Sequence, residues 1–217
     1  MAPPYIRARH EALLQRGCIL PIKLAIILLI FSNIIDKESL RFAYCAEQGY
    51  DRSCGLTTLA YFMDKFWDVP ADETALAREF FAEKLAAGDL TVSFADMAKI
   101  LESRGFAWKA FRMNFEQFTA ASERYTPLIV HYNKPEGHFA LALATEDGLV
   151  IVADPAEGTI ALERHAFESK WSGAVLVAVL PALVPNRKLL AESVGVVRER
   201  MALLDRVARR GTGFSCW

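Results

Sequence analysis

The amino-acid sequence predicts an α+β domain with a helical first half and an antiparallel sheet in the second half. Apolar residues recur at helical spacing over residues 56–67, 73–86 and 94–104, and Asp72 and Ser93 stand where N-caps belong. From residue 107 the pattern changes to that of strands, expected at 107–113, 127–132, 138–144, 149–153 and 173–180. Short helices are expected at 115–122 and 165–171. Helices followed by hairpin-linked strands are typical of the α+β class.

Length and composition limit the function classes. With 217 residues, 53% of them hydrophobic, the chain can form one domain with flanking pieces. Lys plus Arg is 25 and Asp plus Glu is 26, so no basic surplus favours nucleic acid and no nucleic-acid partner is expected. The cysteines, Cys18, Cys45, Cys54 and Cys216, form no CxxC pair and no metal-ligand spacing with histidine. No metal or cofactor is therefore expected, whereas a disulfide between Cys45 and Cys216 stays open for an exported chain.

Residues 1–43 have the pattern of an export segment. Basic residues precede an apolar block, Leu24–Phe31; they are Arg7, Arg9, Arg16 and Lys23. A basic stretch before an apolar core of this length is typical of a secretory signal, and the core is short for a membrane span. A buried helix of the globular domain is the alternative. Cleavage and retention as a membrane tether through residues 17–35 are both open, and either places the following domain in the periplasm.

Cys54 is the candidate nucleophile. It is followed by Gly55 and an apolar helical run, with Gln48 six residues upstream. A thiol at a helix N-terminus faces unpaired backbone N–H groups and the positive end of the helix dipole, which favour the thiolate. The alternative is a small buried apolar residue, which is common for a free cysteine.

His138 and Asp154 are expected to lie side by side. His138 opens one strand and Asp154 ends the next, and a tight Glu146-Asp147-Gly148 turn joins the two strands. An imidazole beside a carboxylate is what a general base and its orienting group require. The alternatives are a strand-end histidine with a structural partner and an aspartate in an Asp-Pro turn. His131 lies an odd number of residues away and is expected on the opposite face, and His165 is expected in solvent.

Together these motifs resemble a known family. Gln48 six before Cys54, Cys-Gly opening a helix, His138-Phe139 at a strand start and Asp154-Pro155 are similar to the papain-like cysteine peptidases that process double-glycine leader peptides. The similarity continues through residues 93–101, 127–130 and 167–173. It implies a papain-like fold over residues 44–182. Ser53 stands where many members have an acidic residue.

The resemblance also implies roles. Cys54 would be the nucleophile, His138 the general base and then acid, Asp154 the orienting carboxylate, and Gln48 with the Cys54 backbone N–H the oxyanion hole. The substrate would be a polypeptide with small residues, usually glycines, before the cut.

Residues 183–217 are expected to form an amphipathic helix ending at Gly211, then a tail. The helix could pack on its own domain, dock a partner protein or lie on a membrane surface. A stand-alone exported member resembles peptidases encoded with outer-membrane secretion or functional-amyloid systems.

Three functions remain at this point. The first is an exported endopeptidase. The second is an acyltransferase of the transglutaminase or arylamine acetyltransferase type, which Gln48 disfavours. The third is a leader-binding module without catalysis, which the presence of all four catalytic residue types disfavours.

Overall fold

The structure is a computed structural model, and it describes residues 37–134, 136–181 and 183–211. The expected export segment, with its 17–35 tether, and Cys216 lie outside these residues. Among the described residues, no helix combines the length and the apolar character needed to span a bilayer.

Helices dominate the first half of the described chain. They are α1 (Lys37–Arg41), α2 (Cys54–Tyr61), α3 (Glu73–Phe80), α4 (Ala82–Ala87) and α5 (Phe94–Ser103), and α2 continues into a π-helical turn, Phe62–Phe66. The expected caps are confirmed: the Asp72 side chain accepts from Ala75 N, and Ser93 forms a capping box with Asp96.

The single helix expected over 73–86 is wrong. Phe81 adopts φ −141° and ψ 38°, and this non-helical residue separates α3 from α4. The turn expected after α4 is present, with Gly88 in the left-handed conformation as its C-cap.

The second half forms an antiparallel sheet. Its strands are β1 (Ala107–Arg112), β2 (Leu128–Tyr132), β3 (His138–Glu146), β4 (Leu149–Asp154), β5 (Gly158–Glu163) and β6 (Trp171–Val179), in the order β1-β6-β2-β3-β4-β5. Helices α6 (Phe115–Tyr125) and α7 (Arg164–Lys170) connect strands. The α+β class with a helical half and an antiparallel sheet is confirmed. Strand β5 was not predicted, because residues 155–158 were interpreted only as the turn that closes the preceding hairpin.

Both faces of the sheet are covered at its inner strands, which explains why β2, β3 and β4 are largely apolar, whereas every residue of the edge strand β1 is exposed. On one face, Phe139, Leu141 and Leu143 of β3 pack with α2, the π-helical turn, α3 and α5. On the other face, Ala140 and Ala142 pack with α6 and α7. Cys54 thus begins a helix that lies on the sheet face carrying Phe139.

Helix α8 (Arg187–Gly211) is the expected C-terminal amphipathic helix. Its first half packs on the domain, because Val194 and Val197 are buried in the same core cluster as α2. Its second half leaves Leu203, Leu204 and Val207 exposed.

Candidate active site

Cys54 is the first residue of α2, and a tight turn sets its position. Ser53 is fully buried, donates its hydroxyl to Tyr50 O at 2.7 Å and accepts from Tyr50 N at 3.3 Å. Arg52, between them, has a positive φ of 61°. Ser53, the departure from the family pattern, therefore holds the turn that presents Cys54, which is 8% exposed.

Gly55 allows α2 to lie close to the wall of the cleft. A Cβ at this position would lie 2.4 Å from Val92 Cγ2, 2.8 Å from Met97 Cε and 3.1 Å from Phe139 Cδ2. Any side chain here would push α2 away from its neighbours, so glycine after the cysteine is a packing requirement.

His138 and Asp154 meet as the sequence predicts. His138 Nε2 lies 2.8 Å from Asp154 Oδ1. Asp154 is 3% exposed, and the same oxygen accepts from the backbone N–H groups of Ala156 at 2.8 Å and Glu157 at 3.2 Å. The carboxylate is thus fixed from its backbone side, and the imidazole cannot rotate without losing its partner.

The second ring nitrogen of His138 is available to the Cys54 thiol. Burial alone lowers the pKa of His138, but hydrogen bonds to Asp154 and Cys54 and the negative charge of both groups raise it to about 10. Because Nε2 is bound to Asp154, Nδ1 is the nitrogen available to the thiol. The ring of Tyr132 stacks on His138, with centroids 5.9 Å apart. A proton held between sulfur and imidazole is what an activated thiol requires.

Gln48 lies at the same opening. Its backbone N–H donates to Pro155 O at 3.1 Å, which ties the residue to the turn after Asp154. Its side-chain Nε2 donates to Tyr50 O at 3.3 Å, and an amide nitrogen carries a second hydrogen. Gln48, Cys54, His138 and Asp154 line one cleft of about 370 Å³, so the structure brings all four expected residues together.

A second and larger cleft, of about 750 Å³, begins on the other side of Cys54. We call it the aromatic cleft, and it is lined by Val92, Phe94, Arg112, His131, Phe139 and Ser172 among others. The smaller cleft, which contains His138, is called the imidazole cleft. Cys54 and Arg52 line both.

The sequence did not indicate that His131 lies in a cleft beside Cys54. The prediction that His131 lies on the face opposite His138 agrees with the register, which pairs His131 with Phe139 and Tyr132 with His138. That face, however, is the one that carries Cys54. The signal was its register partner Phe139, an apolar residue expected to face the helices.

Neither Cys45 nor His165 forms a second pair of thiol and imidazole among the described residues. Cys45 is buried, and burial, then the charge of Asp154, raises the pKa of its thiol well above the usual range. A disulfide between Cys45 and Cys216, which the sequence leaves open, would involve a residue outside the described ones. His165 is exposed and lies 3.2 Å from Glu163. Within the described ranges, no group of three or more His, Cys, Asp or Glu side chains could hold a metal ion.

Comparisons with known proteins agree with this geometry. The chain is 26% identical over 174 residues, 76% of each chain, to a probable functional amyloid protease FapD of Pseudomonas aeruginosa. It is 25% identical over 154 residues to the Pseudomonas fluorescens protein of the same name, covering 69% of this chain and 66% of that one. The fold matches the peptidase domain of Streptococcus ComA, a bi-functional ABC transporter, with a TM-score of 0.53 and 16% identity over 62% of this chain and 96% of that one.

The sequence profile of the Peptidase C39 family matches residues 43–180, which is more than half of the chain. The family expected from the motifs is confirmed, and with it the enzyme class. This chain belongs to the Peptidase C39 family and is a cysteine peptidase.

Proposed function

We propose that this protein is an exported endopeptidase that cleaves a secreted polypeptide or its leader after small residues of the Gly-Gly type. The observation that carries the proposal is the position of His138, which is hydrogen-bonded to Asp154 through Nε2 and lies close enough to Cys54 for the thiol to help raise its pKa. A base that is held by a carboxylate and lies beside a thiol is the arrangement that cysteine-dependent acyl transfer requires.

In the proposed mechanism, Cys54 Sγ attacks the scissile carbonyl carbon. The C–S bond forms as the carbonyl electrons move to oxygen, and this oxyanion accepts hydrogen bonds from the Gln48 amide and the Cys54 backbone N–H. When the C–N bond breaks, His138 Nδ1 gives its proton to the leaving amine.

Water then releases the acyl group. His138, now neutral, takes a proton from the water as it attacks the thioester, and collapse of the second tetrahedral intermediate returns the thiolate. Asp154 keeps the imidazole oriented and favours its charged form in both halves of the reaction.

The preference for small residues is supported by the walls beside the nucleophile. Val92 and Phe139 approach α2 so closely that Gly55 has no space for a methyl group. The Phe94 and Phe139 rings are 5.1 Å apart and form a continuous apolar wall of the aromatic cleft. Small residues beside the cut would let the substrate main chain lie directly against this wall and against the bare main chain of Gly55.

The proposed setting is a secretion system. Export is supported by the basic residues before the apolar block Leu24–Phe31. The relatives named as probable functional amyloid proteases support a secreted amyloid-type polypeptide as substrate or partner. Cleavage of the export segment and its retention as a membrane tether through residues 17–35 are both compatible with this proposal, which involves no nucleic acid and no cofactor.

The decisive experiment compares the wild type with Cys54→Ala. We expect the wild type to cut a peptide with an internal Gly-Gly after the second glycine, and Cys54→Ala to have no detectable activity. Cys45→Ala, which removes the other described thiol, should retain cleavage. Persisting cleavage by Cys54→Ala would refute the nucleophile, and transfer of the acyl group to an added amine instead of water would favour the acyltransferase.

N-terminal sequencing of the secreted proteins would then identify the substrate. Cells with the wild-type enzyme should show a new N-terminus after small residues that is absent from cells with Cys54→Ala. An unchanged set of N-termini would contradict a role in processing secreted polypeptides.

A further inference from the structure

The aromatic cleft contains a histidine that the proposed mechanism does not use. His131 is half-buried, and its ring lies 4.9 Å from that of Phe139 and 6.1 Å from that of Phe94. Both phenylalanines line the aromatic cleft beside Cys54. His131 is therefore a polar group set into an apolar wall next to the reacting sulfur.

A bulge in the sheet faces His131. Val130 pairs with Val175 and Tyr132 with Trp171, so one residue of β2 is opposed by three residues of β6, Ser172 to Ala174. Bulges of this kind redirect side chains next to active sites. Here the bulge brings Ser172 Oγ to within 3.1 Å of His131 Nδ1.

Several contacts fix the bulge. Arg112 Nη1 donates to Ser172 O at 3.0 Å, Trp171 Nε1 donates to Ala174 O at 3.1 Å, and Met113 N donates to Gly173 O at 2.8 Å. Gly173 has φ 79°, and a Cβ there would lie 3.2 Å from Met113 O, so glycine is required. Ser172 is consequently held in one place.

These contacts favour a neutral His131 that carries its proton on Nε2. Ala174 N–H can only donate, and it donates to Ser172 Oγ at 3.2 Å. The Ser172 hydroxyl hydrogen has no acceptor among the described residues other than His131 Nδ1. A neutral imidazole that accepts at Nδ1 has its hydrogen on Nε2.

The neutral form is favoured by the surroundings. Burial, and then the positive charge of His138, lowers the pKa of His131. Nε2 lies 3.5 Å from the position that a Cβ on Gly137 would occupy, beside the backbone that leads into His138. Within the described ranges, Nε2–H has no acceptor, so a donor faces the cleft without a partner.

The proposed mechanism places the two sides of the substrate in different clefts. His138 must reach the leaving amine, and His138 lines only the imidazole cleft. The amine side of the cut therefore lies over the imidazole cleft, and the acyl side extends into the aromatic cleft.

We propose that His131 is a substrate-binding residue that donates a hydrogen bond from Nε2 to a main-chain carbonyl on the acyl side of the scissile bond. This inference rests on the proposed function. A main-chain carbonyl is the expected acceptor, because the proposed substrate has small residues, usually glycines, before the cut and these offer no side-chain acceptor. Ser172 positions His131 through the bulge.

The test uses an acyl-side inhibitor, an acetylated tetrapeptide that ends in Gly-Gly aldehyde, together with the cleavable Gly-Gly peptide. His131→Phe retains an aromatic ring but removes the donor, so we expect its inhibition constant and KM to rise about 3- to 10-fold, the range for loss of one neutral hydrogen bond. His131→Gln places an amide N–H near Nε2 and should recover most of the loss. Ser172→Ala should show a smaller rise.

Two readouts separate binding from damage elsewhere. The rate at which iodoacetamide alkylates Cys54 reports the Cys54–His138 pair without using the cleft, and it should be unchanged in His131→Phe. His165→Phe, a change at an exposed histidine, should match the wild type in every measurement.

The outcomes are distinct. If the wild type cuts the peptide and both His131 variants bind the aldehyde as the wild type does, the binding role is wrong and the peptidase stands. If His131→Phe loses kcat and alkylation rate together at unchanged inhibition constant, His131 acts through the catalytic pair and the binding role is again wrong. If the wild type neither cuts the peptide nor binds the aldehyde, the proposed specificity fails and the inference fails with it.

Discussion

Asp154 is the residue on which the charge of the proposed catalytic pair depends. It is buried, and its hydrogen bond and charge help to raise the pKa of His138 to about 10 in spite of burial. An imidazole alone would lose its proton near pH 6.5. In the proposed mechanism this proton goes to the leaving amine, so the enzyme should stay active until the pH rises through the raised pKa.

Asp154→Asn tests this dependence. The amide retains the shape but removes the charge, while burial still lowers the pKa of His138, so the alkaline limb of kcat/KM should move down by about 1–3 pH units. The measurement is kcat/KM for the Gly-Gly peptide between pH 5 and 11. The maximum rate of Asp154→Asn should also fall.

Asp147→Asn is the matched control. Asp147 is an exposed turn residue between β3 and β4, so the same change of carboxylate to amide should leave the limb where it is. An alkaline limb that does not move in Asp154→Asn would show that His138 is not the group that sets it.

The two described cysteines show how surroundings separate chemistry from packing. Cys54 contacts an imidazole at the junction of two clefts. Cys45 is in the core, where burial and the nearby Asp154 carboxylate keep its thiol protonated. In the sequence, Cys54 differs from Cys45 by the glycine and apolar helical run that follow it and by Gln48 six residues upstream.

At the scale of elements, the sequence predicted what depends on local chemistry. Asp72 and Ser93 cap helices where expected, and the tight turn at Asp147 and Gly148 brings His138 and Asp154 together. Such features are encoded within a few residues, so one sequence is enough to find them. For the same reason the expected site residues could be named in advance.

The features that were missed depend on distant partners. No glycine or proline marks the break between α3 and α4 at Phe81. Strand β5 is an edge strand that pairs only with β4. The bulge opposite His131 arises from the register between β2 and β6, which are separated by about forty residues and by three strands along the chain. Register of this kind follows from packing across the sheet, and no short motif predicts it.

Apolar residues in the first half of helix α8 are buried against the domain, whereas those near its end are exposed. Val197 is 2% exposed and packs in the core cluster that includes α2, whereas Val207, ten residues later, is 60% exposed. The first half should therefore contribute to folding, and the second half should not.

The pair Val197→Ala and Val207→Ala tests this division with one chemical change. Loss of two buried methyl-sized groups should lower the free energy of unfolding by about 2 kcal/mol in Val197→Ala. Val207→Ala should stay within about 0.5 kcal/mol of the wild type. Urea denaturation measures both, and equal effects of the two changes would contradict the division.

At the scale of the whole molecule, the fold places the nucleophile and the base on separate supports. Cys54 begins a helix of the first half, and His138 and Asp154 belong to strands of the second half. The cleft between them forms only when α2 packs on β3, where Thr58 Oγ1 donates to Phe139 O at 3.2 Å. The site is thus a product of the complete fold, which agrees with the family match across residues 43–180.

The proposed place of action is the last property of the whole chain that can be tested. The apolar block Leu24–Phe31 carries no charge, and basic residues precede it, so an insertion machinery should hold the basic end in the cytoplasm and pass the following chain outward.

Alkaline phosphatase, which is active only after export, can be fused after residue 43. We expect phosphatase activity from this fusion, and its loss when Ile26, Leu28 and Ile30 are all replaced by Asn, because the polar block no longer partitions into the membrane.

Replacing Glu38 and Glu47 by Gln in a fusion made after residue 50 changes charge without changing the apolar block and should retain activity. Equal activity of the intact and the Asn-substituted fusions would mean that residues 24–31 do not direct export, and the proposed periplasmic role would then have to be abandoned.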